Sequence, residues 1–103
     1  MEETESQLPP RINEIAAKIT PILKKYGVVS AAIFGSFARG EEKENSDLDI
    51  LVAFKDGKTP GINYVHMWLE LKEATGREVD LVSYNFIHPL LKKYILSEQI
   101  KIL

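Results

Sequence analysis

The chain's 103 residues suit one compact core, and 45% hydrophobic with 27% charged residues is the mix of a globular protein rather than a disordered one. A formal net charge of −2 provides no basic surface of the kind that holds long nucleic acid, and no apolar run nears the roughly 18 residues needed to span a bilayer. The absence of cysteine excludes disulfides and thiolate zinc sites, and a cytoplasmic setting is expected.

Residues 1–7 are acidic and polar, which predicts a disordered tail rather than a signal peptide, followed by a single domain over 8–103. Leu8, Ile12, Ile15, Ala16, Ile19, Leu23 and Tyr26 recur at spacings of three and four, the period of an amphipathic helix. Pro21 inside that pattern predicts a kink or a restart with Thr20 as N-cap, and Gly27 a stop. Val28 to Phe34 is short, apolar and rich in β-branched residues, a buried strand. Residues 36–40 form a turn or short helical turn, Glu41 to Asn45 a polar loop, and Leu48 to Phe54 a second strand. Asp56 to Gly61 is a loop; a helix then runs from about Ile62 to Ala74, with Val65, Trp68, Leu69 and Leu71 inward and Gly76 as stop. Glu78 to Ser83 is a third strand. The last helix places Ile87, Leu90, Leu91, Tyr94 and Ile95 on one face and Lys92 and Lys93 on the other, with Pro89 in its first turn. Ile100, Ile102 and Leu103 predict a short edge strand. The order helix, strand, strand, helix, strand, helix gives an α/β (α+β) fold: a small mixed sheet flanked by helices.

The chemistry concentrates where strands end. Gly35-Ser36-Phe37-Ala38-Arg39-Gly40 follows the first strand and would expose successive backbone N–H groups, which suits a phosphate. Gly35 removes side-chain bulk, Ser36 offers a hydroxyl, and Arg39 is a permanent cation able to pair with phosphate oxygens. Ser46 can brace the turn that presents Asp47. Asp47 and Asp49, spaced i, i+2, stand on one face of the second strand with Leu51, opposite the core face of Leu48, Ile50, Val52 and Phe54. Like charges so close call for a counter-charge, and a divalent metal is the direct one. Asp80, inside Val79-Asp80-Leu81-Val82, adds a third carboxylate and completes a site for two Mg²⁺ ions, with Glu78 as a rim charge or substitute ligand. His66 and His88 are isolated and lack metal-ligand spacing. Trp68 reads as core, and no feature singles out Tyr26, Tyr64, Tyr84 or Tyr94. The pairs Lys24-Lys25 and Lys92-Lys93 read as solvated faces.

The combination Gly35-Ser36-x-x-x-Gly40, Ser46-Asp47-x-Asp49 and Val79-Asp80-Leu81-Val82 resembles the polymerase-β-like nucleotidyltransferase superfamily, and within it the minimal nucleotidyltransferase (MNT) group. The resemblance spans the first helix to the Pro89-Leu90-Leu91 helix, without departure at the motif positions. It implies the polymerase-β-like palm fold. By the same resemblance Gly35, Ser36, Arg39 and Ser46 bind the nucleotide, and Asp47, Asp49 and Asp80 hold Mg²⁺ and serve catalysis. It further implies a HEPN-type toxin from a neighbouring gene as partner, with AMP passed from ATP to a tyrosine hydroxyl of that toxin. Two other readings stay open: an antitoxin that neutralises by binding alone, and a nucleotidyltransferase for a small molecule or an RNA end.

Overall fold

The computed structural model describes residues 8–55 and 61–103. The acidic tail and the loop expected over 56–60 lie outside the described residues. Helix α1 (Pro10–Lys25) begins with proline at its first position, where the missing N–H is no loss. Its stripe Ile12, Ala16, Ile19 and Leu23 is buried, as the periodicity predicts, with Leu8, Ile15 and Tyr26 packed at its margins. The helix does not restart at Pro21, and Thr20 is an interior residue rather than a cap. Pro21 and Ala17 both lie on the exposed side, so the Ala17 carbonyl that the proline leaves without a donor can turn to water.

Strand β1 (Val28–Phe34) pairs antiparallel with β2 (Leu48–Phe54), both with the predicted bounds. The register shifts between Val28 and Ser30, leaving Val29 as an extra, exposed residue. This bulge lets Val28 share the inner face with Ala31 and Ile33, which plain alternation forbids. Between the strands lies the single turn α2 (Ser36–Arg39). Helix α3 (Ile62–Thr75) leads to β3 (Val79–Ser83), which pairs parallel with β2; a 3₁₀ turn (Tyr84–Phe86) and α4 (Pro89–Glu98) follow. The two-residue strand β4 (Ile100–Lys101) closes the sheet against β1, giving the order β3-β2-β1-β4. This is the small mixed sheet expected of the α/β pattern.

The main core lies on one face of that sheet, where Ile33, Leu48, Ile50, Val52 and Phe54 meet α1 and α3. Ala32 and Leu51 are also fully buried, on the opposite face, so β2 is a central strand covered on both sides. The inward side of α3 differs from expectation. Met67 and Leu71 are buried with Tyr64 and Trp68 beside them, whereas Val65 and Leu69 are 45% and 50% exposed. The helix carries two apolar stripes, and the Trp68 Nε1–H bond to the Val79 carbonyl (2.7 Å) sets which one meets the sheet. Leu71→Ala is therefore expected to cost ~2–5 kcal/mol of stability and Leu69→Ala less than ~1 kcal/mol, measured by urea unfolding.

The face predicted for α4 is also not a core face. Leu90, Leu91 and Tyr94 are exposed, only Ile87 and Ile95 are partly covered, and Lys93 borders the same hollow as Leu90 and Tyr94 rather than the opposite side. The helix is instead held at its ends. His88 Nδ1 accepts from the Leu90 N–H (3.1 Å), Tyr84 donates to the Gln99 side chain (2.8 Å), and β4 anchors the residues beyond.

Candidate active site

Three elements converge at the carboxyl end of β1. Phe34, the last residue of β1, stands opposite Asp49 of β2, and Asp49 in turn stands opposite Asp80 of β3. Residues in register on adjacent strands point to the same face, so Asp49 and Asp80 are lateral neighbours with Asp47 at the strand's entry. Asp47 and Asp80 are exposed, whereas Asp49 is half-buried. Burial and then the negative charges of Asp80 and Asp47 push the Asp49 carboxyl from its ordinary 3.8 up to about 6, against the opposing pull of Arg39. Among the described residues no group of three acidic or histidine side chains closes around a common point as a metal cage. The donor chemistry nevertheless fits Mg²⁺: hard carboxylate oxygens whose mutual repulsion raises a pKa are what a small divalent cation would relieve.

Gly35 turns the chain at φ +73°, and its α-carbon packs directly on Asp49: a Cβ there would lie 2.1 Å from Asp49 Oδ2. The backbone of the turn and the carboxylate of β2 thus form one contiguous surface. Ser36 opens α2, and Arg39 closes it with its guanidinium half-exposed. Arg39 donates from Nε to Glu41 (2.9 Å) and from an Nη to both oxygens of Glu98 (3.2 and 3.3 Å). The Gly35 N–H donates to Glu98 Oε1 at 3.1 Å. Ser46 Oγ accepts from the Lys43 N–H (2.7 Å), which places its hydroxyl in the turn that leads to Asp47, the bracing role its turn chemistry suggests. The structure brings Gly35, Ser36, Arg39, Asp49 and Asp80 to one end of the sheet, with Ser46 and Asp47 at its approach. Glu78 pairs with Lys72 (3.3 Å).

Sequence reasoning missed two residues. One is Glu98. The other is Arg77, which donates from one Nη to the carbonyls of Lys43, Glu44 and Ser46 (3.0, 3.0 and 3.1 Å) and stacks over Phe37 at 4.8 Å. It ties the loop that carries Asp47 to the start of β3. Only its place immediately after the Gly76 stop could have drawn notice, and that position is normally polar. Arg77→Ala is expected to lower unfolding free energy by about 1.5–3 kcal/mol, the scale for bonds from a charged donor, and to loosen the loop that carries Asp47. Chemical denaturation alongside amide hydrogen exchange of that loop checks both, and partial rescue by Arg77→Lys separates charge from fork geometry.

Comparison with known proteins decides the family. The polymerase beta nucleotidyltransferase family matches residues 17–103. The chain belongs to that family. Among its relatives, a Methanocaldococcus jannaschii protein, by name a candidate protein adenylyltransferase, is 55% identical over 89% of this chain and 98% of its own length. The protein adenylyltransferase MntA of Thermococcus cleftensis is 33% identical over 95% of this chain and 91% of its own. The solved structure of a candidate minimal nucleotidyltransferase superimposes with a TM-score of 0.74 at 34% identity, over 92% of this chain and 97% of that one. A chain from the complex of a tri-AMPylated Shewanella oneidensis HEPN toxin with its MNT antitoxin matches with a TM-score of 0.68 at 21% identity, over 87% of this chain and 70% of that one, and there shows the fold alone. Within the family the chain is a minimal nucleotidyltransferase, and its mixed four-stranded sheet is that group's fold.

Proposed function

We propose that this nucleotidyltransferase moves the adenylyl group of ATP onto a tyrosine hydroxyl of a HEPN-type toxin encoded beside it, and so acts as the toxin's antitoxin in the cytoplasm. The observation that carries the reading is Asp49 packed on the backbone of Gly35 with Asp80 in register beside it. Named relatives that adenylylate protein, and a fold shared with an antitoxin bound to an AMPylated toxin, supply the acceptor class. In the reaction the acceptor oxygen forms a bond to the α-phosphorus, the bond from that phosphorus to the bridging oxygen breaks, and pyrophosphate leaves. Gly35 N–H, Ser36 and Arg39 hold the triphosphate, with Ser46 bracing the turn beside it. Asp47, Asp49 and Asp80 would hold two Mg²⁺ ions, which would supply positive charge to the phosphates and to the attacking hydroxyl. Asp80, exposed on edge strand β3, is the carboxylate we assign to take the proton of the incoming hydroxyl.

The exposed Phe86, Leu90, Leu91 and Tyr94 favour a protein acceptor over a small one, and they also support a second reading, neutralisation by binding alone. Intact mass spectrometry of the partner, incubated with this protein, ATP and Mg²⁺, separates the two. A gain of one or more AMP units, mapped to tyrosine by fragmentation, is expected. A stable complex with no mass gain would replace transfer with occlusion, and modification of free small hydroxyl compounds or RNA ends without a partner would replace both.

A further inference from the structure

Glu98 is the last residue of α4, and the chain beyond it is fixed by pairing of Ile100 and Lys101 with Ile33 and Ala32 of β1. That pairing sets the Glu98 backbone within reach of the β1–α2 turn. Its Oε1 takes the Gly35 N–H at 3.1 Å and an Arg39 Nη at 3.2 Å, and its Oε2 takes the same Nη at 3.3 Å. A carboxylate accepting together from a turn amide and a guanidinium satisfies the donor pair that an anionic phosphate oxygen would use. Among the described residues no other side chain bonds the Gly35 N–H; Glu41 reaches only the Arg39 Nε. Asp47, Asp49 and Asp80 lie nearby and Glu41 also pairs with Arg39, so Glu98 adds a further negative charge around that cation, and Asp49 is close enough to be repelled by it.

We propose that Glu98 is an internal stand-in for nucleotide phosphate: in the empty protein its carboxylate occupies the Gly35 and Arg39 donors, and it must swing out before the triphosphate can bind. This rests on the nucleotidyltransferase reading of the site. The Glu98 side chain is 30% exposed, so release is a rotamer change toward solvent and leaves α4 and β4 in place. The contact has two effects. It keeps the donors of the turn satisfied when no nucleotide is present. It also lowers apparent nucleotide affinity by the fraction of molecules in which the turn is free; a contact closed in about nine-tenths of empty molecules weakens binding about tenfold.

Titration calorimetry of the whole protein with AMP-PNP, in Mg²⁺ and again in EDTA, tests it. Glu98→Gln keeps the size and removes the charge, and is expected to lower Kd about tenfold, with Glu98→Ala at least as tight. Glu41→Gln releases Arg39 Nε but leaves Gly35 covered, and is expected to shift Kd less than twofold. In ¹⁵N spectra the Gly35 amide resonance should move in Glu98→Gln before nucleotide is added and in the wild type only on adding it. Unchanged or weaker binding by both Glu98 variants would overturn the proposal while leaving the nucleotide site intact. Equal tightening in Glu41→Gln would assign the effect to net charge and likewise overturn it. Failure of the wild type and the variants alike to bind AMP-PNP would overturn it together with the nucleotidyltransferase reading.

Discussion

Asp47→Asn with Asp49→Asn is expected to reduce nucleotidyl transfer by roughly 10³-fold or more, the scale of removing preorganised charge partners from a reacting centre. The single change Asp49→Asn should also make the nucleotide-free protein more stable at neutral pH. In the folded chain the Asp49 carboxyl is raised to about 6 by burial and by Asp80 and Asp47, against its ordinary 3.8. The folded state therefore holds the Asp49 proton more tightly than the unfolded state does. Stability contributed by this group falls as pH rises from about 4 to about 6, and the full penalty of the buried charge is present above that window. Asp49 is only half-buried, so solvent screening reduces the penalty to on the order of 1 kcal/mol. Thermal melts at pH 4, 5, 6 and 7.5 check the sign: the Asp49→Asn advantage should be near zero at the lowest pH and grow through pH 6. Transfer retained by the double variant would refute the metal-holding role of these carboxylates. An advantage that does not change with pH would refute the raised Asp49 carboxyl as its source.

The two motif strands and the turn between them were legible because each residue there obeys a short-range rule. Short, largely apolar runs of seven residues bounded by glycine or polar loops fit buried strands, and β1 and β2 have the predicted ends. The carboxylates stood out because Asp49 and Asp80 interrupt apolar runs, and strand register then brings them side by side. What sequence could not reach was the choice among equivalent faces. Helix α3 has two apolar stripes of similar strength, and the bond from Trp68 to Val79 selects one of them, which no periodicity records. The pattern of α4 marks an apolar face correctly but cannot say that Leu90, Leu91 and Tyr94 would meet solvent in the isolated chain. Arg77 and Glu98 were invisible for a related reason. They act on residues 31 to 34 and 59 to 63 positions away in sequence, through contacts that depend on the finished fold. The motif carries the carboxylates and the turn; these two side chains, from the loop after α3 and the end of α4, bond that turn and the loop leading to Asp47.

Gly35→Ala is expected to lower transfer about 10²-fold or more and to cost more stability than Gly27→Ala, and what each new methyl meets shows why. Both glycines adopt positive φ, +73° and +89°, so either alanine is strained, and Gly35 with ψ −149° lies in a region essentially reserved for glycine. They differ in what the new methyl meets. At Gly27 nothing lies within 4 Å, whereas at Gly35 the Cβ would stand 2.1 Å from Asp49 Oδ2 and 3.0 Å from its Cγ. That overlap cannot be relieved by a small adjustment of a flexible tip, because Asp49 is a short side chain on a central strand flanked by Phe34 and Asp80. Either the carboxylate rotates off the face it shares with Asp80, or the turn lifts away and carries the Gly35 N–H with it. Under the proposed roles both responses damage the same step, since one displaces the oxygen assigned to hold metal and the other the N–H assigned to hold phosphate. The expected result is a larger fall in melting temperature for Gly35→Ala than for Gly27→Ala, with transfer retained by Gly27→Ala and lowered by about 10²-fold or more in Gly35→Ala. Equal activity in the two would mean that Asp49 works from a position independent of the turn, and the contiguous surface of turn and carboxylate would lose its role in the chemistry.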